Sequence, residues 1–269
     1  MTVLSERTHI FIYSKHDESS LQKKSILTEM ILKHGFNTVD HADEANIIVS
    51  LGGDGSFLQA VRKTGFRQDC LYAGISTTGS LGMYCDFHFH DMETVIQAVQ
   101  HAEIEVRRYP ILQVIVDDNP PFYCLNEFSI RSNIIKTFVL DVEIDGLHFE
   151  TFRGDGMIIA TPTGSTAYNK SVNGAVVDPL LPCFQVSELA SVNSNKYRTL
   201  GSSFILSGQR QLTLRLQQDG NDYPTMGMDN ESLSIQHVES VKIELSDRIV
   251  KTVKLKNNSF WEKVKRTYL

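Results

Sequence analysis

The stretch Leu51-Gly52-Gly53-Asp54-Gly55-Ser56-Phe57 sets one carboxylate among three glycines. Glycines at the end of a strand let the backbone take positive φ and approach a phosphate closely, and the N–H groups opening the next helix favour an anion. Asp54 does not suit a bare phosphate. A carboxylate there has chemical work only if it binds the accompanying Mg²⁺ or takes a proton from an attacking hydroxyl, the two jobs aspartate performs in phosphoryl transfer. The competing reading is a tight turn that follows a strand. A second glycine-rich segment, TTGSLGMY (Thr77 to Tyr84), also follows an apolar run.

The third, RGDGMIIATPTGSTAYN (Arg153 to Asn169), lacks the GK[ST] of a P-loop and is no Walker A site. Within it, Asp155-Gly156 taken alone reads as a hairpin turn, and Thr161 to Tyr168 as either a binding loop or a plain surface loop. Asn126-Glu127 interrupts the apolar Tyr123-Cys124-Leu125 and Phe128. If buried, the pair needs partners such as ribose hydroxyls or base edges; otherwise it is a strand end in solvent. His88 and His90 in DFHFHD read as solvated loop residues rather than metal ligands. Lys263, Lys265 and Arg266 near the C-terminus read as a solvated face.

The elements that must position these residues fall into two styles. His9 to Tyr13, Asn46 to Leu51 and Leu71 to Ile75 read as buried strands. Between and after them lie helical patterns: Asp17 to Gly35, with Ile26, Leu27, Met30 and Ile31 on one stripe, Ser56 to Lys63, and Asp91 to His101, with Val95, Ala98 and Val99 inward. That alternation predicts a parallel sheet with helices on its faces. After Tyr109-Pro110 the chain turns to short alternating or β-branched runs (ILQVIV, FVLDVEID, LHFETF, QLTLRLQ, SLSIQHV, VKIEL), with Asp145-Gly146 as a hairpin turn. This is the pattern of a β-sandwich or barrel. The tail NNSFWEKVKRTYL is amphipathic and is expected to dock back on the body.

The 269 residues, 41% hydrophobic and 22% charged, suit one large or two modest globular domains. Net charge is −6 and the basic residues are dispersed, which argues against nucleic acid as a partner. The four cysteines form no CxxC pair and read as reduced thiols. With no signal-like or membrane-spanning run, the chain is expected in the cytoplasm and off the membrane.

Taken together, GGDG (Gly52 to Gly55), TGSLGMY (Thr78 to Tyr84), LNE (Leu125 to Glu127), RGDG (Arg153 to Gly156) and TPTGSTAYNKS (Thr161 to Ser171) resemble, in order and rough spacing, the NAD kinase family, its short Gram-positive type in particular. GGDG alone is shared with lipid kinases and phosphofructokinases. The resemblance implies an α/β Rossmann-like N-terminal domain (1–104) that binds the donor, a C-terminal all-β sandwich domain (105–254) that binds NAD, and a tail (255–269) packed on the body, in a homodimer or homotetramer. It implies transfer of the γ-phosphoryl of ATP, or of inorganic polyphosphate, to the 2′-hydroxyl of the adenosine ribose of NAD. Mg²⁺ would arrive with ATP, with no protein metal ligands. Asp54 matches the general base and Gly55 a residue against the donor phosphates. Asn126 and Glu127 match the pair that holds NAD, and Thr163, Thr166, Ala167, Tyr168 and Ser171 the loop that cradles it. Asp155, with Ala190, matches the nicotinamide end, Tyr84 an aromatic residue against the adenine, and Asp229 a further acid at the NAD site. Ser80, Met83 and Asn230 depart from the usual family residues, which bears on donor choice and affinity. Two rivals share parts of the pattern: a lipid kinase of the diacylglycerol type, and a non-catalytic dinucleotide sensor that would tolerate loss of Asp54.

Overall fold

The apolar runs Ile47–Leu51 and Leu71–Ser76 are buried along their whole length, as central strands covered on both faces must be. In the computed structural model, which describes residues 7–100, 104–134, 136–217, 224–233, 235, 237–256 and 258–269, the chain divides into two compact units. One comprises the chain up to Tyr109 together with Ile249–Leu269; the other is Pro110–Arg248. His101, Ser234, Gln236 and Asn257, and the inward placement expected of the Ala98 side chain, lie outside what is described.

The first unit contains β1 (His9–Tyr13), α1 (Glu18–Lys33), β2 (Asn37–Thr38), β3 (Ile47–Leu51), α2 (Asp54–Lys63), β4 (Leu71–Ser76), β5 (Cys85–His88) and α3 (Met92–Gln100). The strands β2, β1, β3 and β4 lie side by side, all parallel, with Ile10 opposite Ile47 and Ile47 opposite Leu71. β5 adds to the C-terminal half of β4, with Gly74 opposite Cys85. Asp17 caps α1, accepting from the Ser20 N–H at 2.9 Å. Of the expected α1 stripe, Leu27 and Ile31 are buried and Met30 packs against their cluster. Ile26 does not join them; it is 42% exposed, one position off the face that Leu27 and Ile31 define at i, i+4.

Strand β6 (Ile104–Val116) carries the chain into the second unit, which holds β7 (Phe122–Cys124), β8 (Glu127–Arg131), β9 (Phe138–Ile144), β10 (Leu147–Gly154), β11 (Gly156–Ala160), the short helix α4 (Tyr168–Ser171), β12 (Cys183–Leu189), β13 (Phe204–Ser207), β14 (Leu212–Leu216), β15 (Thr225–Met228) and β16 (Glu231–Leu233). Strand β17 (Ser240–Leu255) leads back, and α5 (Phe260–Tyr268) ends the chain. Here β10, β9, β14 and β17 form one antiparallel layer, and β13, β12, β11, β8, β15 and β16 the other. Phe128, Phe138, Phe152, Met157, Phe184 and Leu214 fill the core of this sandwich. Asp155-Gly156 is therefore no hairpin turn. Its flanking strands, β10 and β11, belong to different sheets, so it is the step from one layer to the other.

Candidate functional site

In the first unit, strand β3 delivers the chain to Gly52 and Gly53, and α2 starts at Asp54. A carboxylate in the first turn sits well with the helix dipole. Its two oxygens accept three consecutive backbone N–H groups from the second glycine-rich segment: Met83 at 2.7 Å, Tyr84 at 2.8 Å and Cys85 at 3.2 Å. The approach is so close that a Cβ on Gly82 would lie 2.4 Å from both carboxylate oxygens, so no other residue type fits there unchanged. Asp54 is half-buried and Gly55 exposed. Tyr84 is only 4% exposed. Its ring stacks on Phe57 at 5.0 Å and meets Tyr109 edge-on at 6.0 Å. Burial and the neighbouring Asp54 charge both push the Cys85 thiol up, which keeps it protonated and unreactive.

In the second unit, Asn126 and Glu127 enter β8 while 8% and 6% exposed; neither is a strand end in solvent. Asp229, at a φ of 51° that Asp tolerates better than most residues, accepts N–H from Leu125 (3.0 Å), Asn126 (2.7 Å) and Glu127 (3.3 Å). Residues Thr163–Thr166 form a buried 3₁₀ turn rather than a surface loop. It is locked to the LNE segment by the Thr161 hydroxyl, which donates to the Leu125 carbonyl at 2.7 Å and accepts the Gly164 N–H at 2.9 Å. A Cβ on Gly164 would stand 2.0 Å from the Asn126 carbonyl oxygen. Ala167 and Tyr168 are partly buried, and Ser171 is exposed.

Three buried polar atoms around this turn make no hydrogen bond: Glu127 Oε2, Thr163 Oγ1 and Asn169 Nδ2. Such atoms are costly unless a partner arrives. Burial, and then the Asp229 charge, push the Glu127 carboxyl up to about 8. Asp155 and Ala190 are exposed and lie elsewhere on the sheet. Gly156 pairs with Arg131 and Ala160 with Glu127, so Asp155 sits at the opposite end of β11 from the carboxyl.

The sequence singled out Asp54, Asn126, Glu127 and Asp229, and the structure gathers them into two clusters, one per unit. It also adds Gly82, Thr161 and Asn169, whose roles come from contacts between distant segments. Lys263 is a correction. Rather than forming part of a solvated face, it is fully buried and donates to Asp86 at 2.9 Å and to the Met83 carbonyl at 2.7 Å. Phe260 and Thr267, three residues before and four after it, share its helical face, and that spacing is the signal a reading of charge alone passes over.

Comparison with known proteins gives the arrangement its context. Residues 125–255 match the ATP-NAD kinase C-terminal domain family. The chain is 61% identical over 264 residues to NAD kinase 2 of Bacillus subtilis, covering 98% of this chain and 99% of that protein. It is 59% identical to NAD kinase 2 of Geobacillus kaustophilus over 98% of this chain and 99% of that one. Among solved structures it resembles yeast NADH kinase complexed with NADH, with a TM-score of 0.81 at 19% identity over 97% of this chain and 87% of that one. An NAD kinase from Archaeoglobus fulgidus in complex with ATP gives a TM-score of 0.71 at 23% identity, over 96% and 98% of the two chains. With near-complete coverage at this level of identity, the chain belongs to the NAD kinase family.

Proposed function

We propose that the protein transfers the γ-phosphoryl group of ATP to the 2′-hydroxyl of the adenosine ribose of NAD, giving NADP. The observation that carries the chemistry is the Asp54 carboxylate, which three N–H groups fix in place. A carboxylate has about four lone-pair directions, so room remains for one further donor. A ribose hydroxyl in that direction is oriented for attack and loses its proton to Asp54 as the new P–O bond forms and the bond to the β-phosphate oxygen breaks. Gly55, exposed in the first turn of α2, lets the donor phosphates approach the helix N-terminus.

On the acceptor side, Asn126, Glu127, Thr163 and Thr166 hold the adenosine half. The lone Oε2, Oγ1 and Nδ2 atoms of Glu127, Thr163 and Asn169 supply the unmet hydrogen bonds that ribose and base would satisfy. Asp155 and Ala190 would meet the nicotinamide end. The five residues of β11 separate the two ends by roughly 13 Å at ~3.3 Å per step, which suits an extended dinucleotide, with Ala167, Tyr168 and Ser171 along it. Tyr84 supports the Asp54 loop through Phe57. Asp229 acts through the backbone of Leu125 to Glu127.

Among the described residues no three His, Cys, Asp or Glu side chains converge on a metal position. A divalent ion would arrive on the nucleotide, held by its phosphates and water, and would supply charge neutralisation at the transferring phosphoryl group. This reading carries with it a donor domain at 1–104, an acceptor domain at 105–254, the tail at 255–269, a homodimer or homotetramer, and a cytoplasmic location. Among the described residues no helix is long and apolar enough to cross a membrane.

The test is NADP formation by purified protein given NAD, Mg²⁺ and either ATP or polyphosphate, read through an NADP-specific dehydrogenase. Turnover by wild type and its loss in Asp54→Asn are expected. NAD binding without turnover on either donor would overturn the assignment in favour of a sensor.

A further inference from the structure

The loop that grips Asp54 is itself gripped from behind, by the C-terminal helix. The peptide group joining Gly82 and Met83 gives its N–H to Asp54, and its carbonyl accepts from Arg266 Nη2 at 3.3 Å. The next peptide group, joining Met83 and Tyr84, gives its N–H to Asp54, and its carbonyl accepts from Lys263 Nζ at 2.7 Å. Two consecutive amides thus connect a cation of α5 at one end to the Asp54 carboxylate at the other. Hydrogen-bond chains of this kind polarise one another: a cation on a carbonyl makes the N–H of the same amide a better donor.

Lys263 is held as firmly as the peptides it serves. Its ammonium is fully buried and pairs with Asp86, whose carboxylate also accepts from Arg107 Nη1 at 2.9 Å and from Asn258 Nδ2 at 2.5 Å. Arg107 Nη2 in turn donates to the Asn258 carbonyl. The helix start next door is fixed by a capping box, in which Ser259 and Glu262 satisfy each other's backbone N–H groups. Burying an ion pair is expensive, and replacing Lys263 and Asp86 together by apolar residues would often be as stable or more so. Stability alone therefore gives little reason for an ion pair at this place.

We propose that Lys263, assisted by Arg266, is a positioning residue for the phosphoryl transfer, acting on Asp54 through the two peptide groups of Gly82-Met83-Tyr84. This rests on the reading of Asp54 as the base. The helix does not touch substrate in this account. It fixes the direction in which the carboxylate presents its remaining lone pair, and an error of an ångström there is costly.

The test is steady-state kinetics on full-length Lys263→Met, with Asp54→Asn made in parallel and folding checked by circular dichroism and thermal melting above the assay temperature. A fall in kcat on the order of tenfold or more, with KM for both NAD and ATP within about twofold of wild type, is expected. A kcat within threefold of wild type in the folded variant overturns the inference, as does a loss that only mirrors the unfolded fraction or appears in KM. If Lys263→Met does not fold, Arg266→Ala replaces it, because Arg266 is exposed and its loss buries nothing. There a fall in kcat of about threefold or more at unchanged KM, restored by Arg266→Lys, supports the inference, and an unchanged kcat overturns it. The Asp54→Asn arm separates the failures. Activity retained in that variant removes the reading of Asp54 itself, whereas its loss alongside full activity in Lys263→Met removes only the role of the helix.

Discussion

Asp54 in the α/β unit and Asp229 in the β-sandwich are held alike: each accepts the N–H groups of three consecutive residues from a distant segment, 83 to 85 in one case and 125 to 127 in the other. Their consequences differ. The Asp54 cage fixes the aspartate itself, half-exposed at the start of a helix, with cations behind the peptides that hold it. The Asp229 cage fixes someone else. Its charge lies beside a second, more deeply buried carboxyl and helps to push Glu127 up to about 8, leaving Glu127 Oε2 without a partner. On the proposed function, the same local device would serve in one unit to present the base and in the other to shape a polar wall for the dinucleotide. A hydrogen-bond cage by itself does not identify a catalytic residue; what lies on the open side of it does.

The parallel can be broken most forcefully at Asp229. Asp229→Ala strands three N–H groups in partly buried surroundings, and a stability loss of about 3 kcal/mol is expected from the urea midpoint. An unchanged midpoint would mean the cage is not structural. The next largest effect is at Gly82. In Gly82→Ala the new methyl would start 2.4 Å from both Asp54 oxygens, so the loop must move and kcat should drop by roughly 10² while NAD affinity holds. Should affinity for NAD fall and kcat hold, the division of labour between the two cages would be wrong.

The last prediction concerns pH. Glu127 is raised from 4.5 to about 8 on folding, so between those values the folded state binds more protons than the unfolded chain and stability falls as pH rises. Glu150, raised to about 7 chiefly by burial, adds to the same slope. Melting temperature should therefore decline from pH 5 to pH 8, and Glu127→Gln should flatten the decline by about 1 kcal/mol or more. An identical slope in the variant would show that the free protein does not hold Glu127 protonated.

Much of this was readable from residue order. The continuous apolar runs of β3 and β4 announced a parallel sheet, and the switch to short alternating runs after Tyr109-Pro110 announced the sandwich. Asp54, Asn126 and Glu127 stood out because a polar residue inside glycines or an apolar strand needs a reason. What sequence order hides is who faces whom. Asp155-Gly156 has the composition of a hairpin turn, yet only the sheet assignment of β10 and β11 shows that it crosses between layers. That Tyr84 stacks on Phe57, 27 positions earlier, is likewise not written in the order of residues. Lys263 looks like any solvated lysine; its burial depends on Asp86, 177 positions earlier in the chain. Each of these depends on contacts distant in sequence.

The most direct test of the central claim is to measure binding and turnover together on Asp54→Asn: NAD affinity by calorimetry, and NADP formation with ATP and Mg²⁺ on the same preparation. The account predicts NAD affinity within about threefold of wild type and turnover reduced by about 10³ or more. Turnover near the wild-type rate, or a loss of NAD binding in step with the loss of turnover, would contradict it.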